Sequence, residues 1–303
     1  MEVESVGRVR TEPARTIHRA ATVPLDYRQQ AERLYRHAGF RPALAEYCSA
    51  MAKPAPIAWP VYKLFDQFGR YVVCYMLIHN YYAWRHAGGL EPTLTALQRV
   101  AGASERHTAG FVAVLKAGKF VTTEDNPADR RQKLLRPAAP MVAGIGRSVR
   151  LFIAAADAIE GHPVEHSDIF GECDVLGEVL RRSAAYTLLN GTLLHGFPTV
   201  LHFAEHDCGY PLLSAVIGAH YARTLAGAPA AVPLDVRALA QRFQVSPAHI
   251  RNMLDEAERH GWFSLGPDGG SVSTALVTEF ERWSAGQMAH FRDLADEVRG
   301  PRH

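Results

Sequence analysis

The sequence lacks a long uninterrupted run of apolar residues. Its longest candidate, residues 72–78, is far shorter than the roughly 20 residues that a membrane-spanning helix requires. Residues 1–24 alternate charged and small side chains and contain no apolar segment of the kind found in secretory signals. We therefore expect a disordered tail over 1–24 and a cytoplasmic chain that makes no contact with a membrane.

Cysteine and lysine are also scarce. The four cysteines, at positions 48, 74, 173 and 208, form no Cys-x-x-Cys pair, so reduced thiols are favoured over a disulfide framework. Lysine occurs 5 times against 28 arginines, a bias that together with abundant alanine is typical of a GC-rich bacterial genome. The formal net charge of +2 excludes no class of partner.

Motifs that carry enzyme chemistry are missing. The chain has no Gly-x-Ser-x-Gly, no Gly-x-x-x-x-Gly-Lys, no Gly-x-Gly-x-x-Gly after a strand and no His-Glu-x-x-His. We therefore predict that the protein is not an enzyme and needs no cofactor. The 303 residues, of which 48% are hydrophobic and 21% charged, suffice for two ordinary globular domains.

The chain repeats itself at an offset of about 140 residues. The aligned positions include 68–71 with 208–211, Tyr81 with Tyr221, Ser104 with Ser246, and His107 with His249. Each match is weak alone, but their common order favours a duplication over the chance similarity of two helical domains. The repeat predicts a first domain over 25–160, a linker over 161–173 and a second domain over 174–303.

Both halves show the same order of expected elements. We expect a helical stretch (25–51 and 174–194), a long apolar helix (61–86 and 200–225), a helix-turn-helix with a hairpin, and a last amphipathic helix (138–158 and 273–299). The fold class is therefore mainly α with small β wings.

The second half carries the clearer helix-turn-helix pattern. Val236, Leu239, Ala240 and Phe243 share one helix face, and Gln244–Val245 forms the turn. Ser246 is a natural N-cap, followed by Pro247 at the first helical position. The buried face then continues through Ile250, Met253, Leu254 and Ala257. A strand over 262–265 and a turn over 266–270 complete the pattern.

The first half repeats this scheme. Leu94, Leu97 and Val100 form the first buried face, Gly102–Ala103 the turn, and Ser104 the cap. The second helix buries Thr108, Phe111, Val112 and Leu115 and ends at Gly118. A strand over 120–123, a polar tip over 124–131 and a return strand over 133–136 follow.

This order resembles the MarR-type winged-helix regulators. The resemblance rests on the hairpin Asp125-Asn-Pro127-Ala-Asp129-Arg130-Arg131, the leucine-rich return strand and the long helix after it. It covers roughly 61–157 and, through the repeat, 200–299. The second copy has no Asp-Arg-Arg tip, and Gly118 comes one residue early. The resemblance implies two tandem winged helix-turn-helix domains that form an intramolecular pseudodimer on a pseudo-palindromic double-stranded DNA operator.

The resemblance also implies which residues contact DNA. Arg130 or Arg131 would enter a minor groove, with Asp129 orienting that arginine. Ser104, Arg106 and His107 at the start of the recognition helix would face base edges or phosphates, with Lys133 nearby on the return strand. In the second copy the corresponding residues are Arg237, His249 and Arg251.

The distribution of charge favours the first copy as the DNA reader. Residues 93–150 contain ten Lys/Arg and four Asp/Glu, whereas residues 234–299 contain seven and ten. Since neutralisation of phosphates supplies most nonspecific affinity, the first winged helix is expected to dominate. The acidic second copy keeps an alternative open, namely a protein-interaction or small-molecule-sensing module that has lost operator binding. Whether such chains associate further also stays open.

Two further clusters allow a binding role. The aromatic run over 59–84, with Trp59, Tyr62, Tyr75 and Tyr82, fits either a helix core or a pocket for a small aromatic effector. His202, His206 and Cys208 have metal-ligand spacing, and Cys173 or His195 could add a ligand. Fifteen histidines make chance clusters common, so the sequence favours structural histidines and no metal. A ligand-sensing protein with a metal site at His202 and His206 is a third hypothesis.

Overall fold

The computed structural model describes residues 25–54, 64–126, 129, 131–160, 172–266 and 270–299. Most of these residues are helical, and two short antiparallel sheets complete the secondary structure that they form. The predicted class, mainly α with small β elements, is therefore confirmed at this level. The tail 1–24 and the predicted linker up to residue 171 lie outside the described residues.

The first half contains helices on both sides of a hairpin. They are α1 (Leu25–Arg36), α2 (Phe40–Met51), α3 (Phe68–Ala87), α4 (Leu94–Val100), α5 (Glu105–Ala117), strands β1 (Val121–Asp125) and β2 (Lys133–Pro137), then α6 (Ala139–Ile145) and α7 (Arg147–Glu160).

The second half also contains helices on both sides of a hairpin. It comprises α8 (Cys173–Asn190), a 3₁₀ turn (Leu193–Gly196), α9 (Pro198–Ala204), α10 (Gly209–Thr224), α11 (Val236–Phe243), α12 (Pro247–Arg259), strands β3 (Phe263–Ser264) and β4 (Ser271–Val272), and α13 (Thr274–Arg299).

Both predicted helix-turn-helix segments form as expected. The Ser104 hydroxyl accepts the His107 N–H at 3.2 Å at the start of α5, and the Ser246 hydroxyl accepts the His249 N–H at 3.1 Å at the start of α12. These caps satisfy backbone donors that the first turn of a helix leaves open. The predicted inner face of α5 is buried, at Thr108, Phe111, Val112 and Leu115.

The hairpin of the first half is the longer of the two. Strands β1 and β2 pair over five positions, from Val121 opposite Pro137 to Asp125 opposite Lys133. Strands β3 and β4 pair only at Phe263 with Val272 and at Ser264 with Ser271.

Two helices that the sequence predicts as continuous are broken. The helix expected over 200–225 divides into α9 and α10, because a proline inside a helix lacks a donor and collides with the preceding turn. Placing Pro211 in the first turn of α10 avoids both costs. Gly209 is required at this start, since a Cβ there would lie 2.0 Å from the Phe203 carbonyl oxygen.

Other predicted boundaries also need correction. The helix expected over 138–158 breaks at Gly146, where a Cβ would lie 2.5 Å from Leu176 Cδ2 of α8. The stretch 25–51 is interrupted between α1 and α2, and the stretch 174–194 ends its helix at Asn190. Helix α3 begins only at Phe68, where the Gln67 side chain accepts the Arg70 N–H at 3.2 Å.

Helices of each half pack against helices of the other half. Helix α2 of the first half packs against α10 of the second, and reciprocally α8 packs against α3. Helices α7 and α13 contact each other across the same boundary, and α1 lies along α13. One continuous cluster of buried apolar side chains includes residues of both halves. Each half is therefore stabilised by burial of apolar surface against the other.

Ion pairs also join the two halves, one of them half-exposed and one fully buried. Arg41 of α2 makes a bidentate contact of 2.7 and 3.2 Å with Glu281 of α13, which also accepts the Tyr221 hydroxyl at 2.9 Å. Arg292 of α13 lies 2.5 Å from Asp157 of α7, and both side chains are 5% exposed. Across the described ranges, no helix has the length and apolar character needed to cross a membrane.

Candidate nucleic-acid interface and adjoining cavity

The tip of the first hairpin presents Arg131 to solvent. The Asp129 carboxylate accepts the Arg131 backbone N–H at 3.0 Å and the Gln132 side-chain amide at 3.1 Å. Asp129 thus fixes the backbone at Arg131 rather than its guanidinium group. That group has no hydrogen-bond or ion-pair partner among the described residues. Arg130, the other predicted minor-groove residue, lies outside the described residues.

The remaining cations of this hairpin are paired within it. The Lys133 ammonium contacts the Asp125 carboxylate directly across the strand pair. Arg136 contacts Glu124 at 2.8 Å, also across the pair. Both pairs are exposed, and such pairs contribute only about 0–1 kcal/mol. Lys133 could therefore leave Asp125 for a phosphate at small cost.

Helix α5 presents its first turn to solvent. Ser104, Arg106 and His107 are all exposed, as the recognition-helix assignment requires. The Ser104 hydroxyl is engaged in its capping bond, whereas the side chains of Arg106 and His107 are unengaged within the described ranges. The N-terminus of a helix favours anions, because its backbone N–H groups and dipole point outward there.

The helix-turn-helix and hairpin of the first half carry several exposed cations that make no ion pair with any described residue. They are Arg99, Arg106, Lys116, Lys119 and Arg131. Several exposed cations on a small unit attract a polyanion before any specific contact forms. The predicted positive character of this unit is therefore present on its surface.

The second helix-turn-helix has a different surface. Arg237 and Arg251 are exposed, but α12 also exposes Asp255 and Glu258. His249 is half-buried, with its Nε2 at 2.9 Å from the Asp207 carbonyl oxygen. That imidazole nitrogen is used inside the protein, so of the three predicted contacts only the two arginines are fully presented to solvent.

A cavity of about 490 Å³ lies where the two halves meet. Side chains from α3, α6, α7, α8 and α13 line it, including Phe68, Tyr75 and Phe152. Of the predicted pocket residues, Tyr75 lines the cavity. Tyr82 does not: it is buried elsewhere and donates its hydroxyl to Asp174 at 3.0 Å. Trp59 and Tyr62 lie outside the described residues.

The cavity wall holds polar groups that lack partners. Arg150 Nε and Trp283 Nε1 are buried and make no hydrogen bond with any described group. Each unsatisfied buried donor costs about 1–3 kcal/mol. Two donors beside aromatic walls fit a small ligand that has an apolar body and an acceptor or anionic group.

Ser183 and His290 form another polar part of the wall. The Ser183 hydroxyl and His290 Nε2 are 2.7 Å apart, and both residues are buried. Burial lowers the pKa of His290 to about 4, so its imidazole is neutral near pH 7. This part of the cavity is therefore polar but uncharged. The charged side chains of the lining are Asp66, Arg147 and Arg150.

The sequence patterns did not indicate Arg150, Trp283 or His290. Trp283 and His290 lie seven residues apart on α13, a spacing that places them on one helix face. A histidine on an otherwise apolar face is the signal that could have been noticed. That this face and Arg150 of α7 line one cavity depends on packing between the halves, which periodicity does not reveal.

The cysteines behave as core thiols. Cys48, Cys74 and Cys208 are buried, and Cys173 is half-buried. Burial raises the pKa of the Cys74 thiol far above its ordinary value. Because the thiolate is the reactive form, this cysteine is not suited to sensing oxidants.

Comparisons of the chain with protein families, with curated proteins and with solved structures found no match.

Proposed function

We propose that the protein is a MarR-type transcriptional regulator that binds double-stranded DNA mainly through its first winged helix. The observation that carries this proposal is the set of exposed cations without ion pairs around α5 and the first hairpin. The chain contains two capped helix-turn-helix segments, and helices of each half pack against helices of the other. A single-chain pseudodimer requires this arrangement.

In this proposal α5 enters a major groove, with Arg106 and His107 reaching base edges or phosphates. The hairpin tip then places Arg131 against the neighbouring minor groove. The second copy contributes weaker phosphate contacts through Arg237 and Arg251, because Asp255 and Glu258 on α12 repel the DNA phosphates. A pseudo-palindromic operator would place one half-site under each unit.

Replacing Arg131 with alanine is expected to weaken DNA binding about 5- to 150-fold, the equivalent of about 1–3 kcal/mol. The side chain is exposed and its backbone is held by Asp129, so its loss should leave the fold unchanged. A gel shift on the region upstream of the gene measures the change. Arg33→Ala, which removes an exposed arginine of α1, is the matched control and should bind like the parent chain. If both variants bound DNA with equal affinity, the hairpin would not be part of the DNA-binding interface.

The cavity supports a second candidate function, the sensing of a small aromatic acid. Benzoate is a suitable probe, because its ring matches the aromatic walls and its carboxylate matches Arg150 and Trp283 Nε1. Hydrogen bonds to charged groups contribute about 1.5–3 kcal/mol, so Arg150→Met should weaken binding by about 10- to 150-fold. Isothermal titration calorimetry measures this, with the exposed Arg85→Met as control. An Arg150→Met protein that binds benzoate as tightly as the parent would disprove the assignment.

A further inference from the structure

A cluster of two histidines and one glutamate joins α9 to α12. The potential ligand atoms of His202, His206 and Glu256 all lie within 4.8 Å of one another. His202 belongs to α9, His206 follows its end, and Glu256 belongs to α12. Cys208, which sequence spacing placed with the two histidines, is not part of this group. Glu256 lies fifty residues further along the chain, so folding alone supplies the third ligand.

The distances suit a small divalent cation. His202 Nε2 and Glu256 Oε1 are 3.6 Å apart. Ligand atoms around one tetrahedral zinc ion, each at 2.0–2.2 Å from the metal, are separated by about 3.3 Å. Small rotations of side chains would therefore close the cluster. The side chains of His202 and Glu256 are 28% and 30% exposed, which leaves a path for an ion to enter.

The hydrogen bonding of His206 prepares it as a ligand. Its Nδ1 lies 2.7 Å from the His202 carbonyl oxygen, so Nδ1 carries the proton and Nε2 keeps a free lone pair. Histidines that bind metals commonly donate the other ring N–H to a carbonyl in this way.

We propose that His202, His206 and Glu256 form a zinc site that fastens the second recognition helix, α12, to α9. Imidazole and carboxylate ligands together favour zinc over calcium or magnesium. A fourth position remains for water or for His260, which lies one turn after Glu256 and whose ring centroid is 6.4 Å from that of His202. A bound dication would also offset the acidic side chains of α12. That last consequence rests on the proposed DNA binding, whereas the site itself does not.

The test uses the full chain without a polyhistidine tag, freed of metal by a chelator and titrated with Zn²⁺ by calorimetry. We expect one equivalent to bind, and Glu256→Gln to weaken that binding by at least about tenfold, the lower limit even for residues that only support a ligand. His206→Ala should do the same. Glu258→Gln, an exposed neighbour on α12, is the matched control and should bind like the parent.

A thermal-unfolding series gives an independent measurement. A ligand that binds only the folded state raises Tm, so Zn²⁺ should raise the Tm of the parent chain and of Glu258→Gln but not that of Glu256→Gln. Glu256→Gln is nearly isosteric, so the comparison stands even if His206→Ala fails to fold. Absence of saturable binding by the parent, or equal binding by Glu256→Gln and the parent, would overturn the proposal. Neither result depends on whether the protein binds DNA.

Discussion

Replacing Arg292 with methionine should lower the free energy of unfolding by about 3–5 kcal/mol, the usual cost of removing one partner from a buried ion pair. Arg292 lies 2.5 Å from Asp157, 3.0 Å from Glu160 and 3.2 Å from Asp296. Without the guanidinium group, the Asp157 carboxylate stays buried between α7 and α13 and loses its ion pair with Arg292. Urea unfolding at pH 7 measures the loss.

Two further variants give this experiment its controls. Arg282→Met removes an exposed arginine of the same helix whose contact with Glu32 is 3.7 Å long, so it should cost less than about 1 kcal/mol. The double variant Arg292→Met, Asp157→Leu should recover much of the stability, because it no longer buries a lone charge. If Arg292→Met were as stable as Arg282→Met, the pair would not hold the halves together.

Acidification should destabilise the protein through His290. Burial lowers the pKa of this imidazole to about 4 in the folded chain, against about 6.5 in an unfolded one. Between these values the unfolded state binds the extra proton, so stability falls as pH falls. The contribution of neutral His290 to the free energy of unfolding is complete above about pH 6.5 and is lost as the pH drops towards 4. A difference of about 2.5 pKa units corresponds to about 3 kcal/mol.

A comparison of variants isolates this contribution from other titrating groups. His290→Asn removes the imidazole and should flatten the decline in unfolding free energy between pH 7 and pH 4.5, relative to the parent. His107→Gln replaces an exposed histidine of α5 and should leave the decline unchanged. The same decline in parent and His290→Asn would mean that His290 does not titrate with a lowered pKa.

Local chemistry was enough to predict the helix-turn-helix segments. A serine cap, an apolar face of period 3.6 and a turn residue act over a few neighbouring positions, so Ser104 and Ser246 could be assigned directly. The hairpins were predicted for the same reason. Gly118 and Gln244 lie at the helix ends where the turns were expected.

Features that depend on contacts between halves could not be predicted. The residue at the break must be Gly146, because Leu176 of another helix occupies the space that a Cβ would need. Arg150 and Trp283 line one cavity only because α7 packs on α13. The cluster of His202 with Glu256 also joins residues distant in sequence. No periodicity within one segment carries information about these contacts.

If the first winged helix leads DNA binding, the affinity for the upstream region should depend steeply on salt concentration. Each neutralised phosphate contributes about −0.9 to the slope of log K against log salt, so engagement of the five exposed cations around α5 predicts a slope of about −4 to −5. Fluorescence anisotropy should show this slope for the parent protein. In the double variant Arg237→Ala, Arg251→Ala the magnitude of the slope should fall by at most about 2. Arg106→Ala, Arg131→Ala should lose both affinity and about two units of slope. If the parent did not bind DNA at low salt, or if the double variant Arg106→Ala, Arg131→Ala kept the parent's slope, the first winged helix would not lead DNA binding.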